Sequence, residues 1–269
     1  AIDVAIRTFC IPNKDGILVF PPTFEMYKFY AEVQGIQMHS IPLDQDNNYS
    51  LDLKALEEFD PSKAKLTFIC SPSNPLGHKF SKESIYRVCE YFSDYGLVVL
   101  DGAYVEFDSD EVYKEILSKF DNVIILRTLS KAFGLAGVRC GVLISSDEIC
   151  QYIERVIPPY SFSTPAVNAV IQSLSDEGIK ESKRNIETII EDRKWLETEL
   201  ASLDEVIEVF PSYTNFILVK VNDAKAFCKK SQDLGFLLRD VSYQPLLENC
   251  VRITVGTTEQ NQKLIRGLK

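Results

Sequence analysis

Short runs of branched apolar residues alternate with amphipathic stretches through the first half of the chain, and this alternation constrains the fold more than any other feature. Ile17–Phe20, Leu66–Cys70, Leu97–Leu100, Val123–Leu126 and Val142–Ile144 have the length and turn-bounded character of buried strands. Between them Glu25–Gln34, Ser81–Tyr95 and Glu111–Phe120 carry helical spacing. Strand–helix alternation of this kind implies βαβ units, hence an α/β fold with a mostly parallel sheet and helices on both faces. The second half changes character after Pro158-Pro159 and the Ser161–Pro165 break. Helical stretches near Pro165–Leu174 and Ile179–Leu203 lead to Asn215–Val221, a helix near Ala224–Leu234, and Val251–Val255. We expect a large domain over 1–157 and a smaller C-terminal α+β domain, with its linking helix, over 158–269.

At 269 residues a chain can bury roughly three quarters of its unfolded surface, so its core needs no disulfide or metal staples. The seven cysteines form no C-x-x-C pair, which points to reduced thiols and a cytoplasmic protein rather than to a disulfide framework or zinc site. Two histidines, His39 and His78, far apart in sequence, leave little for a metal centre or a Ser-His-Asp triad. The balance of 29 Lys+Arg against 39 Asp+Glu, a net charge of −10, argues against a nucleic-acid partner. No apolar run approaches the roughly 20 residues that span a bilayer. The chain opens without Met, and Ile2, Ala5, Ile6 and Phe9 already have helical spacing. The expectation is therefore that an N-terminal part is not represented.

In open α/β sheets ligands bind beyond the carboxyl ends of the strands. Ser71-Pro72-Ser73-Asn74-Pro75-Leu76-Gly77 follows one strand, and Asp101 with Tyr104 three residues later follows the next. Arg127-Thr128-Leu129-Ser130-Lys131, with Arg139 eight residues on, follows a third. Together they offer an amine nucleophile, an acid, a phenol, an amide, hydroxyls and a guanidinium. A cofactor with a phosphate, a phenolic oxygen and a basic ring nitrogen uses every member, and pyridoxal phosphate has all three. An acid at a strand end keeps such a ring nitrogen protonated, which makes the ring an electron sink. A partly desolvated lysine among cations has a lowered pKa and attacks carbonyls readily.

These segments resemble the pyridoxal-phosphate-dependent aminotransferases of fold type I, and most closely their histidinol-phosphate aminotransferase branch. The resemblance runs from Arg7-Thr8-Phe9-Cys10 and Pro21-Pro22-Thr23-Phe24-Glu25-Met26-Tyr27 to Arg252-Ile253-Thr254-Val255-Gly256-Thr257. Its most specific part is Thr128-Leu129-Ser130-Lys131-Ala132-Phe133-Gly134-Leu135-Ala136-Gly137-Val138-Arg139. It implies that Lys131 is the covalent anchor of the cofactor and the proton carrier, and that Asp101 partners the pyridine nitrogen. It implies further that Tyr104 and Asn74 bond the 3′-oxygen and that Phe24 stacks on the ring. Thr128, Ser130 and Arg139 match phosphate-binding positions, and Arg252 and Arg239 match arginines that hold the anionic ends of substrates. The implied reaction moves the amino group of L-histidinol phosphate to 2-oxoglutarate, giving glutamate, within histidine biosynthesis, and the implied assembly is a homodimer.

Two departures stand out. Where the family carries Glu after the strand-end acid, this chain has Gly102. The family's Gly-rich phosphate turn and N-terminal arm would precede Ala1; a polypeptide without them is expected to bind the cofactor weakly. Other readings stay open at this stage: an aromatic aminotransferase or threonine-phosphate decarboxylase on the same cofactor, or a truncated non-catalytic chain. Outside the site, Ser62-Lys63-Ala64-Lys65 reads as a chance S-x-x-K match, Asp108–Glu111 as a solvated acidic face, Cys140 as a small packing residue and His78 as an exposed loop residue.

Overall fold

The computed structural model describes residues 1–108 and 112–269. In chain order the elements are α1 (Ile2–Phe9), β1 (Gly16–Val19), α2 (Met26–Val33), β2 (Gln37–Ser40), α3 (Leu53–Glu58), β3 (Leu66–Cys70), α4 (Lys82–Tyr91), β4 (Leu97–Asp101), α5 (Val112–Lys119), β5 (Val123–Thr128), β6 (Gly141–Ile144) and α6 (Asp147–Glu154). There follow α7 (Thr164–Ser173), α8 (Asp176–Ala201), β7 (Val206–Val209), β8 (Phe216–Val221), α9 (Ala224–Asp233), β9 (Arg239–Asp240), β10 (Cys250–Thr254) and α10 (Thr258–Leu268). Among the described residues the first set of strands forms a sheet in the order β2-β1-β3-β4-β5-β6, and the second forms one in the order β7-β8-β10-β9. In the first sheet every pairing is parallel except β5 with β6.

Alternation along each strand sends side chains to two different cores. Ile17, Val19, Leu66, Phe68, Cys70, Val99, Ile124 and Leu126 meet Ala5 and Ile6 of α1, Tyr27 and Ala31 of α2, and Ile149 and Ile153 of α6. Leu18, Ile69, Val98, Leu100, Val123 and Ile125 face the other way, onto Leu56 of α3, Ile85, Val88 and Cys89 of α4, and Ile116 of α5. A strand covered on both faces has no solvent side to show, which is why β3, β4 and β5 read as nearly continuous apolar runs until their carboxyl ends, with Thr67 the one polar residue inside them. Helix starts follow local chemistry: Asp52, Ser81 and Asp223 each accept a backbone N–H of the first turn, and Thr257 with Gln260 forms a reciprocal capping box.

Several expectations need correction. Strand β6 is an edge strand, with Val142 and Ile144 about two-fifths exposed, not a buried one; only Leu143 of its apolar run packs onto the core beneath α1 and α6. Helix α4 stops at Tyr91, four residues short of Tyr95. The acidic run is not simply solvated. Asp108 is buried against Lys79 at 2.9 Å, and residues 109–111, including the expected helix start at Glu111, lie outside the described residues. Among the described residues no helix is long and apolar enough to cross a membrane.

His78 is half-buried rather than exposed. Its Nε2 lies 3.0 Å from the Tyr49 carbonyl, its ring meets Phe80 edge-on at 4.8 Å, and its Nδ1 is buried without a partner. Burial holds its pKa down at about 4, against about 6.5 in an unfolded chain. Between those values the unfolded chain binds more protons than the folded one. The folded state is therefore fully favoured above pH 6.5 and loses about 3 kcal/mol as the pH falls toward 4. Urea unfolding across this range should show that loss, and His78→Gln should flatten the profile.

Candidate active site

The parallel strands deliver their carboxyl ends to one cavity of about 400 Å³, within the ~300–1,000 Å³ range of small-ligand sites. Phe24, Asn74, Asp101, Tyr104, Thr128, Ser130, Lys131 and Arg139 all line it. Each arrives by local logic. Phe24 sits on the turn between β1 and α2. Asn74 is carried by the turn after β3, which reverses at Gly77 with φ +84°; there an added Cβ would lie 3.0 Å from Ser212 Oγ, so both backbone and space require glycine. Asp101 is the last residue of β4, and Lys131 lies three residues past β5.

Asp101 shares the face of Val99, and its carboxylate is buried. Oδ2 accepts from the Tyr27 hydroxyl at 2.7 Å and Oδ1 from the Ala103 N–H at 3.1 Å. Burial pushes its pKa up, while the Tyr27 and Ala103 hydrogen bonds and the nearby Lys131 charge pull it back. Tyr104 is buried, packs edge-on to Phe216 at 5.3 Å, and has its pKa raised by that burial. Lys131 Nζ lies 5.4 Å from the centre of the Tyr104 ring. Desolvation first, then the positive charges of Arg252 and Arg139, lower its pKa, so more of the neutral amine is present near pH 7 than in a surface lysine. Thr128 Oγ1 donates to Ser130 Oγ at 2.9 Å and accepts from the Ser130 N–H at 3.1 Å. Arg139, at φ 60°, is exposed and donates to the Ala136 carbonyl at 3.1 Å.

Arg252 comes from β10, yet its Nη1 donates to Asn74 Oδ1 at 2.8 Å, and its guanidinium lies 4.9 Å over the Phe216 ring. Its Nε is buried with no partner, a donor still to be satisfied. Arg239 stands directly opposite Arg252 in the β9–β10 register but is exposed; neither arginine is among the residues lining the cavity, which Arg252 reaches through Asn74. Cys140 lines it and is half-buried.

Sequence reasoning passed over Tyr27. It lies in the first turn of α2, three residues past Phe24, and the two rings meet edge-on at 5.7 Å. Gly102 is also clearer in three dimensions. An added Cβ would lie 3.0 Å from Tyr113 Cε1 and 3.3 Å from Arg127 Cδ, while the Tyr113 hydroxyl donates to the Ser71 carbonyl and Arg127 pairs with Glu106 at 2.7 Å. The space that a glutamate at 102 would need is already filled. Gly102→Glu should therefore destabilise the fold by about 1–3 kcal/mol in urea unfolding, and adding Tyr113→Leu should recover at least half of that loss.

A buried acid, a lysine of lowered pKa, a phenol and an amide thus converge beyond the carboxyl edge of a mostly parallel α/β sheet, the fold of the aminotransferases. The family model "Aminotransferase class I and II" matches residues 1–268, and the chain belongs to that family. It is 38% identical over 269 residues to the histidinol-phosphate aminotransferase of Pectobacterium carotovorum, covering all of this chain and 74% of that protein. The crystal structure of the histidinol-phosphate aminotransferase from Clostridium acetobutylicum superposes with a TM-score of 0.89 at 24% identity, over 100% of this chain and 79% of that one. The Sinorhizobium meliloti histidinol-phosphate aminotransferase in complex with pyridoxal-5′-phosphate gives 0.84 at 24%, over 99% and 72%. At these identities the two structures show a shared fold.

Proposed function

We propose that the chain is a pyridoxal-phosphate-dependent aminotransferase that moves the amino group of L-histidinol phosphate to 2-oxoglutarate. The observation that carries the reading is the convergence on one cavity of a low-pKa amine, Lys131, and a buried acid, Asp101, beside Arg252, whose Nε–H still lacks an acceptor. The choice of donor is supported by the name of the 38%-identical relative.

The residues fit the cofactor. Asp101 matches a ring nitrogen that must stay protonated, and Phe24 offers an aromatic face. Thr128, Ser130 and Arg139 supply hydroxyls and a charge for a phosphate. The first turn of α1 reaches the same cavity through Ala1, Ile2 and Asp3. Arg252 occupies Asn74 Oδ1, so the amide is left to donate through its N–H₂, beside Tyr104, to a phenolic oxygen. Bound pyridoxal phosphate supplies an electron-withdrawing ring that stabilises negative charge at the substrate carbon. Lys131 Nζ removes the Cα proton of the amino substrate and returns a proton at C4′ of the cofactor, and its lowered pKa suits both directions. Arg252 binds the anionic end of either substrate through its remaining donors. Arg239, its neighbour across the strand pair, adds a second positive charge for the substrate phosphate.

Within this reading the cofactor-binding unit is 1–157 and the smaller unit 158–269. The protein works as a cytoplasmic homodimer, and its seven unpaired cysteines accord with a reducing compartment.

The test is to add pyridoxal phosphate to the purified chain, reduce with borohydride, map the labelled peptide, and assay a panel of amino donors with carbon dioxide monitored. The expected result is label on Lys131, histidinol phosphate as the preferred donor, and no carbon dioxide. Preference for an aromatic amino acid, or carbon dioxide release from a phosphorylated amino acid, would replace this substrate assignment.

A further inference from the structure

Asp101 is held by more than its place at a strand end. Because it shares the face of Val99, the helix packed on that face can reach it, and α2 does so through Tyr27. The Tyr27 ring is fully buried, stacks on Phe68 at 4.6 Å with 22° between the planes, and meets Phe24 edge-on at 5.7 Å. Packing of that kind asks only for a phenylalanine. The hydroxyl adds the 2.7 Å hydrogen bond to Asp101 Oδ2, with the neutral Cys70 thiol as a second, weaker neighbour. One side chain thus touches both groups that would grip a cofactor ring, the carboxylate at its nitrogen and the aromatic face of Phe24.

We infer that Tyr27 is a positioning residue of this site: its hydroxyl favours the ionised form of the Asp101 carboxyl against the effect of burial and fixes its orientation toward the ring nitrogen, while its ring sets the tilt of Phe24. The inference rests on the pyridoxal phosphate reading above. A phenol O–H donates more strongly to an ionised carboxylate than to the neutral acid, so the bond favours the charged form, and burial keeps this phenol itself protonated. The other groups near Asp101 are the Cys70 thiol and the Tyr104 and Tyr113 phenols, with the amino groups of Ala1 and Lys131. Of their side chains, none donates a described hydrogen bond to Asp101. The thiol is held neutral, with its pKa raised to about 12. Removal of the Tyr27 hydroxyl therefore leaves the Ala103 N–H as the one described hydrogen bond to the carboxylate.

Tyr27→Phe keeps the ring, the Phe68 stack and the Phe24 contact. In the cofactor-free protein, carboxylate-carbon NMR with Asp101→Asn as the assignment control should show Asp101 titrating about one pH unit higher in the variant. A ring-fluorinated tyrosine at position 27, a stronger donor of nearly the same shape, should move it the opposite way. Pyridoxal phosphate, titrated by its visible absorbance, should bind Tyr27→Phe about tenfold more weakly, with kcat about tenfold lower and KM within twofold. An Asp101 midpoint and a cofactor affinity unchanged in both variants would overturn the assignment. If the parent chain takes up no pyridoxal phosphate and no label reaches Lys131, the cofactor reading fails, whereas the cofactor-free midpoint still shows whether Tyr27 sets the charge of Asp101.

Discussion

Lys131→Ala should remove transamination almost entirely, lowering kcat by about 10⁴-fold, because the proposed function gives one side chain the work of both cofactor anchor and proton carrier. The fold should survive, since Lys131 is exposed toward the cavity and its backbone carbonyl, which accepts the Gly134 N–H at 3.1 Å, is untouched by the substitution. A small primary amine added to the variant should restore part of the proton transfer. The decisive comparison is kcat for parent and variant under saturating pyridoxal phosphate, alongside matched unfolding curves. A variant that retains more than one per cent of the parental rate would move the chemistry away from Lys131.

Asp101→Asn should separate activity from stability. The amide keeps the shape and can accept from Tyr27 or from the Ala103 N–H but not from both, and it cannot balance a positive ring nitrogen, so kcat should fall about 10³-fold, the scale of losing one well-placed electrostatic partner. Stability should move the other way. The folded-state pKa of Asp101 is raised by burial. Its ionised form therefore weighs against folding once the pH exceeds the unfolded value, and the neutral variant should unfold at the same or a higher denaturant concentration. Loss of activity accompanied by loss of stability would mean that Asp101 is mainly structural.

The parts of the fold legible in the sequence are those where burial leaves no choice of residue. Strands β3, β4 and β5, covered on both faces, appear as apolar runs, and the polar residues just past them mark the cavity before any coordinates are considered. Strand β2, Gln37–Ser40, lies at the sheet edge with two exposed and two half-buried residues, so it carries no period to read. Strand β6 misleads in the opposite sense, because Val142 to Ile144 looks like interior while lying at an edge. Within the site, Lys131, Asp101 and Arg252 are readable from motif context. The Tyr27–Asp101 bond, 74 residues apart, depends on which sheet face α2 covers, and the Gly102–Tyr113 exchange depends on a helix returning beneath β4. Neither relation leaves a local trace.

The two sheets also share hydrophobic interior. Phe210, Leu218, Val241, Leu247 and Cys250 of the C-terminal half belong to the same buried cluster as Leu18, Ile69 and Leu100, and Tyr49 meets Phe210 edge-on at 5.8 Å. The two halves of the chain are therefore not separable pieces. Excising the C-terminal region would strip oil-like surface from the first sheet as well as the second, and expression of either part alone would yield a sticky, insoluble product. Exchanging whole C-terminal halves between relatives would mismatch that shared interior, so substitution of individual side chains is the less disruptive way to alter substrate preference.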